Sequence, residues 1–174
     1  MDRKLLIVDD EVDLCELLSE ISRPVATTIL TACNGEEALE IVRSMPKNSP
    51  IDAILSDISM PKKNGIEFLS ELRFLGVYTP FIFLTGYGDK EKMATAIKYG
   101  AFDFFDKPAN NKALVSRLDE ALSFGVLLRS LDDEVDDLMG LAPEGVEDHE
   151  KLREALASVL IVRKQREAAM KKSA

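Results

Sequence analysis

The chain has 174 residues, of which 46% are hydrophobic and 30% charged, which suits one domain with an extension or two small domains. Its formal net charge of −9 argues against a general attraction to nucleic acid or to anionic lipid. No stretch approaches the roughly 18 consecutive apolar residues of a membrane helix, and the apolar run near the start is too short for a signal peptide. Cys15 and Cys33 lack metal-ligand spacing and are expected to be small apolar fillers. We therefore expect a cytoplasmic protein.

Short apolar runs alternate with helical patterns over about the first 120 residues. Runs of apolar or β-branched residues are typical of strands buried on both faces, and they predict five strands at 5–8, 26–32, 51–55, 81–84 and 102–105. Between them apolar residues recur at helical spacing, and Asn34, Asn64 and Asp89 stand where helix N-caps belong. Strand alternating with helix predicts a parallel sheet in a doubly wound α/β fold.

Polar residues follow the predicted strands at their carboxyl ends, where ligands bind in open α/β sheets. They are Asp9 and Asp10, Ser56 and Asp57, Thr85 and Gly86, and Asp106 and Lys107. Asp9, Asp10 and Glu11 by themselves can equally be read as acids that cap the first helix, where they favour the helix dipole.

Three ionised aspartates at one edge of a sheet need a counter-charge. Two like charges about 4 Å apart repel by roughly 4 kcal/mol at an effective dielectric near 20. Mg²⁺ prefers carboxylate, water and phosphate oxygens, an ammonium such as Lys107 suits a phosphoryl oxygen, and Thr85 can donate a hydrogen bond to another. The set therefore describes a site for a phosphoryl group bridged to Mg²⁺.

Five motifs in order, over about residues 3–124, make the chain resemble the response-regulator receiver domains of two-component signalling. They are Val8-Asp9-Asp10-Glu11, Leu55-Ser56-Asp57-Ile58-Ser59-Met60-Pro61, Asn64-Gly65, Leu84-Thr85-Gly86-Tyr87 and Gly100-Ala101-Phe102-Asp103-Phe104 followed by Lys107-Pro108. The resemblance implies a flavodoxin-like fold, with a five-stranded parallel sheet of order 2-1-3-4-5 and five helices.

The same resemblance implies roles for the acidic residues. Asp57 would be the nucleophile that takes a phosphoryl group from a phosphohistidine of a sensor histidine kinase or phosphotransfer protein. Asp10 would ligate Mg²⁺ directly together with Asp57, and Asp9 would act close by, often through water. The backbone carbonyl of Ser59 would complete the protein ligands.

Other matching residues would bind the phosphoryl group, change conformation in response to it, or control its hydrolysis. Lys107, expected to precede a cis peptide bond to Pro108, would bind a phosphoryl oxygen, and Thr85 would be the switch hydroxyl. Phe104 stands where many receivers carry a switching aromatic ring, and it lacks a hydroxyl to hydrogen-bond when turned inward. Ser59 and Tyr87 flank the path of the hydrolytic water, and a bulky Tyr87 is expected to prolong the life of the phosphoryl group.

Residues 125–174 follow a receiver domain that should occupy residues 1–124. Apolar spacing of three or four predicts that the fifth helix continues to Gly140, with Gly125 as a weak point. A turn at 141–145 and a second helix at 147–170 would complete an amphipathic helical hairpin. The segment is acidic first and basic afterwards, with nine acids against one arginine in 129–150 and seven bases against two acids in 151–174.

The tail is expected to dimerise or to bind a partner protein, with a solvated extension as the alternative. DNA binding is not favoured, because the sequence shows no recognition-helix pattern or zinc spacing. His149 is expected to be solvated, neither a metal ligand nor a phosphorelay histidine.

For the whole chain we expect a signalling switch without enzymatic activity on a separate substrate. The alternative is a phosphorelay intermediate or phosphate sink. A phosphatase with an aspartate nucleophile is disfavoured, since Asp57-Ile58-Ser59 lacks the second acid.

Overall fold

A computed structural model describes residues 2–86 and 90–140 of the chain. The five strands are β1 (Lys4–Val8), β2 (Thr28–Ala32), β3 (Ala53–Ser56), β4 (Phe81–Thr85) and β5 (Asp103–Asp106). Five helices lie in this part of the chain, and they are α1 (Val12–Ser22), α2 (Gly35–Ser44), α3 (Gly65–Phe74), α4 (Lys90–Lys98) and α5 (Asn111–Gly140). The strands form one parallel sheet of order β2-β1-β3-β4-β5. The predicted fold class and strand order are therefore confirmed.

Helices cover the sheet on both faces, and each face has its own hydrophobic core. Alternate residues of β1 serve the two cores, because successive strand side chains point to opposite faces. Leu6 and Val8 pack with residues of α2, α3 and α4, while Leu5 and Ile7 pack with residues of α1 and α5. This burial on both faces explains why the strands read as continuous apolar runs.

Two predicted N-caps are confirmed. Two predicted strands began two residues too early, because the structure starts them at Thr28 and Ala53 rather than at residues 26 and 51. The side chain of Asn34 accepts hydrogen bonds from the first turn of α2, and Asn64 forms a capping box with Glu67 in α3. The predicted cap at Asp89 lies outside the described residues. The second strand was predicted from residue 26, but the Ala26 amide donates to the carbonyl of Ser22, 3.0 Å away, and so belongs to the turn that ends α1.

The prediction that the fifth helix continues to Gly140 is confirmed, but the interpretation of Gly125 as a weak point was incomplete. A Cβ atom on Gly125 would lie 1.8 Å from the backbone oxygen of Asp52, in the segment before β3. Glycine is therefore required for close approach of α5 to this segment, and its low helix propensity is the cost of that contact.

The chain divides into two compact units, residues 1–126 and 127–174. In the described part of the second unit, Leu131 and Val135 are buried and Met139 packs against them. The predicted turn at 141–145, the second helix at 147–170 and His149 lie outside the described residues. The boundary at residue 124 and the hairpin stay predictions. Within residues 2–86 and 90–140, no helix is long and apolar enough to cross a membrane.

Candidate functional site

The backbone places the predicted acidic residues side by side at the carboxyl edge of the sheet. Val8 and Ser56 are partners in the register of β1 and β3, so the next residues, Asp9 and Asp57, leave adjacent strands together. The Asp57 amide donates to the carbonyl of Val8 at 2.8 Å, and the Asp9 amide donates to the carbonyl of Ala32 at 3.1 Å. Parallel pairing therefore brings together residues that lie 48 positions apart in the sequence.

Three carboxylates converge at this edge. Asp9, Asp10 and Asp57 each offer an oxygen, and these oxygens lie within 4.8 Å of one another. Asp9 and Asp57 are buried, whereas Asp10 is exposed. Oδ1 of Asp9 accepts from the Glu11 amide at 3.0 Å. Asp9 thus joins the cluster and also holds the turn before α1, whose N-cap residue, Glu11, forms no side-chain capping hydrogen bond.

Lys107 supplies positive charge to the two buried carboxylates. Its Nζ lies 2.7 Å from Oδ2 of Asp9 and 3.5 Å from Oδ2 of Asp57. The Lys107 amide donates to the carbonyl of Thr85 at 2.7 Å, which ties the segment after β5 to the end of β4. The expected cis peptide bond between Lys107 and Pro108 is present.

Burial and charge act in opposite directions on these side chains. Burial raises the pKa of Asp57 above its ordinary value, although Lys107 and the hydrogen bond from the Ile58 amide to Oδ1 at 2.8 Å act against the rise. Burial lowers the pKa of Lys107, but the hydrogen bond to Asp9 and the charge of Asp57 outweigh it, so the pKa is raised overall. Lys107 is therefore an ammonium at neutral pH.

The predicted switch residues lie on the neighbouring strands. Thr85 is buried at the end of β4, and its hydroxyl donates to the carbonyl of Gly86 at 3.4 Å. Phe104 in β5 is half-buried and stacks on Phe83, with ring centroids 5.5 Å apart and planes 16° from parallel. Tyr87 lies outside the described residues.

The loop after Asp57 contains two relationships that sequence reasoning missed. A Cβ atom on Gly65 would lie 2.1 Å from the backbone oxygen of Asp57, so α3 begins directly against the peptide of that residue. Ser59 is exposed, and its Oγ accepts from Nζ of Lys92 in α4 at 3.0 Å. Gly65 is part of a motif that the sequence analysis identified, but no role was predicted for it. The hydrogen bond between Lys92 and Ser59 could not be predicted, because no sequence pattern distinguishes this lysine from other lysines on a helix.

The two cysteines differ in environment, and the prediction of two apolar fillers was wrong for one of them. Cys15 is buried, and its Sγ donates to the carbonyl of Asp9 at 3.5 Å. Burial, and secondly the charge of Asp9, raises the pKa of this thiol to about 11. Cys33 is exposed, because it follows an edge strand where the chain leaves the sheet.

Residues 5–119 match the family described as response regulator receiver domain. Over 115 residues the chain is 38% identical to the transcriptional regulatory protein CpxR of Klebsiella pneumoniae, which covers 66% of this chain and 47% of that protein. Over 119 residues it is 32% identical to the transcriptional regulatory protein ZraR of Escherichia coli, which covers 68% of this chain and 26% of that protein. The chain thus spans about half the length of CpxR, or less for ZraR.

Solved structures of receiver domains are also similar to this chain. A response regulator receiver domain protein from Clostridium thermocellum is 31% identical with a TM-score of 0.65, covering 72% of this chain and 98% of that one. The chemotaxis protein CheY4 of Vibrio cholerae is 29% identical with a TM-score of 0.62, covering 70% of this chain and all of that one. The similarity therefore covers the α/β part of the chain.

Proposed function

Because the chain belongs to the response regulator receiver family, whose members are signalling domains, we propose that Asp57 accepts a phosphoryl group from a histidine kinase. One observation carries the proposal. The carboxylates of Asp9, Asp10 and Asp57 converge within 4.8 Å, and the ammonium of Lys107 lies 3.5 Å from Asp57. An acidic cluster beside a fixed ammonium is suited to hold a phosphoryl group and its counter-ion.

In the proposed reaction a carboxylate oxygen of Asp57 attacks the phosphorus of a phosphohistidine. A phosphorus–oxygen bond forms, the phosphorus–nitrogen bond breaks, and the imidazole leaves with a proton. Lys107 is already charged and placed, so it stabilises the negative charge of the transferred group without rearranging the site. The product is an aspartyl phosphate at the carboxyl edge of the sheet.

Receiver domains generally bind Mg²⁺ in an acidic pocket, and the donor set here fits that ion. All three clustered side chains offer carboxylate oxygens, which a hard divalent cation prefers. We assign Asp10 and Asp57 as ligands, with Asp9 close by and the backbone carbonyl of Ser59 completing the set. When bound, the ion would neutralise charge on the phosphoryl oxygens.

The switch is proposed to use Thr85 and Phe104. The Thr85 hydroxyl donates to a neighbouring carbonyl at 3.4 Å, a long contact that it can exchange for a phosphoryl oxygen. Phe104 packs on Phe83 by apolar contact, so its ring can respond to a change at β4 without breaking a hydrogen bond. Tyr87 is proposed to shield the aspartyl phosphate from water.

The output is proposed to pass through residues 125–174, as a dimerisation or partner-binding segment. Supporting this, α5 continues well beyond the receiver match, and Leu131 and Val135 are buried in its last part. The relatives are named transcriptional regulatory proteins, but the match covers 47% of CpxR and 26% of ZraR. The expectation that DNA is not a partner of this chain stays a prediction.

The test is phosphorylation of the purified chain by acetyl phosphate with Mg²⁺, followed by intact mass. We expect the mass gain of one phosphoryl group in the wild type and none in Asp57→Asn. Asp52→Asn is the matched control, because Asp52 is a buried aspartate at the opposite end of β3, and it should be phosphorylated like the wild type. Equal phosphorylation of Asp57→Asn would overturn the proposal.

Two further measurements separate the switch from the relay alternative. Analytical ultracentrifugation with and without beryllofluoride, a mimic of the phosphoryl group, reports whether the site controls assembly. Transfer of the phosphoryl group from the labelled chain to a phosphotransfer protein would instead favour a relay.

A further inference from the structure

The two cysteines lie in different elements but on the same side of the sheet. In β2, Leu30 and Ala32 pack into the core formed with α2, α3 and α4, whereas Ile29 packs into the core formed with α1 and α5. Successive residues of a strand alternate between the two faces, so the next position, Cys33, continues on the α1 side. Cys15 lies in α1 and is buried in the core on that side.

Contacts through the backbone of Asp9 bring the two cysteines close together. Sγ of Cys15 donates to the carbonyl of Asp9 at 3.5 Å, and the Asp9 amide donates to the carbonyl of Ala32, the residue before Cys33, at 3.1 Å. Val8 and Ala32 are partners in the register of β1 and β2, so Asp9 and Cys33 leave adjacent strands, whose backbones lie about 4.8 Å apart. The pKa of Cys15 agrees with this proximity, since it is raised to about 11 by burial first, next by Asp9, and also by the charge of Cys33.

The two thiols differ in access to solvent. Cys33 is exposed, and its amide donates to a carboxylate oxygen of Glu37 at 2.9 Å, which fixes its backbone beside α2. Cys15 is buried, and a thiol is only a weak hydrogen-bond donor to its carbonyl partner. Redox-sensing pairs join an accessible thiol, which the oxidant reaches first, to a second thiol that resolves the product. Cys33 and Cys15 are suited to these two roles.

We propose that Cys33 and Cys15 are a redox-active pair, which a hydroperoxide joins into a disulfide that slows the phosphorylation of Asp57. The Cys33 sulfur attacks hydrogen peroxide, the oxygen–oxygen bond breaks, and a sulfenic acid and one water form. The Cys15 sulfur then attacks the sulfenic sulfur, a sulfur–sulfur bond forms, and the hydroxyl leaves with the Cys15 proton as a second water. The two thiols lose two electrons, and the peroxide gains them. A reducing thiol reverses the reaction by disulfide exchange.

The disulfide acts on the acidic cluster through Asp9. Sγ of Cys15 loses its proton when the disulfide forms, so it no longer donates to the Asp9 carbonyl, and the start of α1 is tied to the end of β2. The carboxylate of Asp9 pairs with Lys107 at 2.7 Å and lies in one cluster with Asp57. A shift of Asp9 therefore disturbs the cation and the carboxylates that the proposed phosphorylation uses. This inference rests on the proposed function and adds a form of regulation to it.

The first test is oxidation of the full chain by hydrogen peroxide, followed by intact mass and by peptide mapping without reductant. We expect the mass to fall by two hydrogens, with a cross-linked peptide pair that contains Cys15 and Cys33, and dithiothreitol should restore the original mass. Cys33→Ser and Cys15→Ala should each form no cross-link within the chain. Oxidation of Cys33 to sulfinic acid alone, or a disulfide only between two chains, would overturn the inference.

The second test compares phosphorylation by acetyl phosphate with Mg²⁺ before and after oxidation. We expect the disulfide-bonded wild type to be phosphorylated about threefold more slowly or slower still, since one lost hydrogen bond has about this effect. Cys33→Ser treated with peroxide should keep the rate of its reduced form, which controls for oxidation elsewhere in the chain. An unchanged rate in the disulfide-bonded wild type would overturn the proposed regulation. A reduced wild type that is not phosphorylated at all would overturn the proposed function, whereas the cross-link is measured without acetyl phosphate.

Discussion

The ammonium of Lys107 lies closer to Asp9, at 2.7 Å, than to Asp57, at 3.5 Å. Asp9 is 1% exposed, so its charge requires this partner. Asp57 interacts with the same ammonium at the longer distance. Its pKa is raised above the ordinary value, chiefly because the side chain is buried. The phospho-acceptor we propose is therefore the less fully compensated of the two buried carboxylates.

Replacing Lys107 by glutamine should destabilise the protein and increase its response to Mg²⁺. Without the ammonium, Asp9 is left as a buried charge, and we expect the free energy of unfolding to fall by about 2 kcal/mol in Mg²⁺-free buffer. Mg²⁺ should then raise the melting temperature of the variant more than that of the wild type, because the ion supplies the missing charge. Thermal unfolding with and without Mg²⁺ measures both effects. Lys98→Gln should change neither, and equal Mg²⁺ stabilisation of Lys107→Gln and wild type would contradict the assigned metal site.

Replacing Asp57 by asparagine should stabilise the Mg²⁺-free protein at neutral pH. The folded state raises the pKa of Asp57, which means that it disfavours the ionised form. This penalty is present above the folded pKa and disappears as the pH falls below the unfolded pKa. We expect a gain in the free energy of unfolding at neutral pH that shrinks toward zero on acidification. Urea denaturation of both proteins across this pH range measures the difference, and a gain independent of pH would show that charge is not its cause.

Gly65→Ala should disturb the phosphorylation site as well as stability. The new methyl group would lie 2.1 Å from the backbone oxygen of Asp57, so either α3 or the Asp57 peptide has to shift. We expect a loss of about 1–3 kcal/mol in the free energy of unfolding and slower phosphorylation by acetyl phosphate. Denaturation and intact mass measure the two effects. A wild-type phosphorylation rate in a destabilised variant would mean that α3 absorbs the shift.

Gly125→Ala tests whether tertiary contact or helix propensity dominates in α5. Helix propensity alone predicts that the free energy of unfolding rises by about 1 kcal/mol. However, the methyl group would lie 1.8 Å from the backbone oxygen of Asp52. We expect this clash to outweigh the gain in propensity, so that the free energy of unfolding falls by at least about 2 kcal/mol. Gly140→Ala is the matched control in the same helix, because within residues 2–86 and 90–140 its new methyl group would meet no heavy atom within 4 Å beyond its own helix backbone. Chemical denaturation compares the two, and a stabilised Gly125→Ala variant would contradict the close contact.

Much of the fold and of the acidic site could be predicted from the sequence, because both depend on local patterns. The order of strands and helices follows from apolar periodicity, and the Asn34 and Asn64 caps depend on residues a few positions away. The convergence of Asp9, Asp10 and Asp57 follows from one rule, that parallel strands end at the same edge. The strand order itself came from the resemblance to a known family.

The relationships that were missed join residues far apart in the sequence through side-chain reach or close backbone approach. Lys92 contacts Ser59, which lies 33 positions away in the sequence. Gly125 packs against the backbone of Asp52, which is even farther away along the chain. Neither contact leaves a periodic pattern, because each depends on how two elements are placed on the sheet. Local propensity and periodicity therefore determined the elements and the edge at which the site lies. The tertiary structure decided which cation pairs with which carboxylate and which glycine permits contact, since those depend on differences of a few ångströms between packed elements.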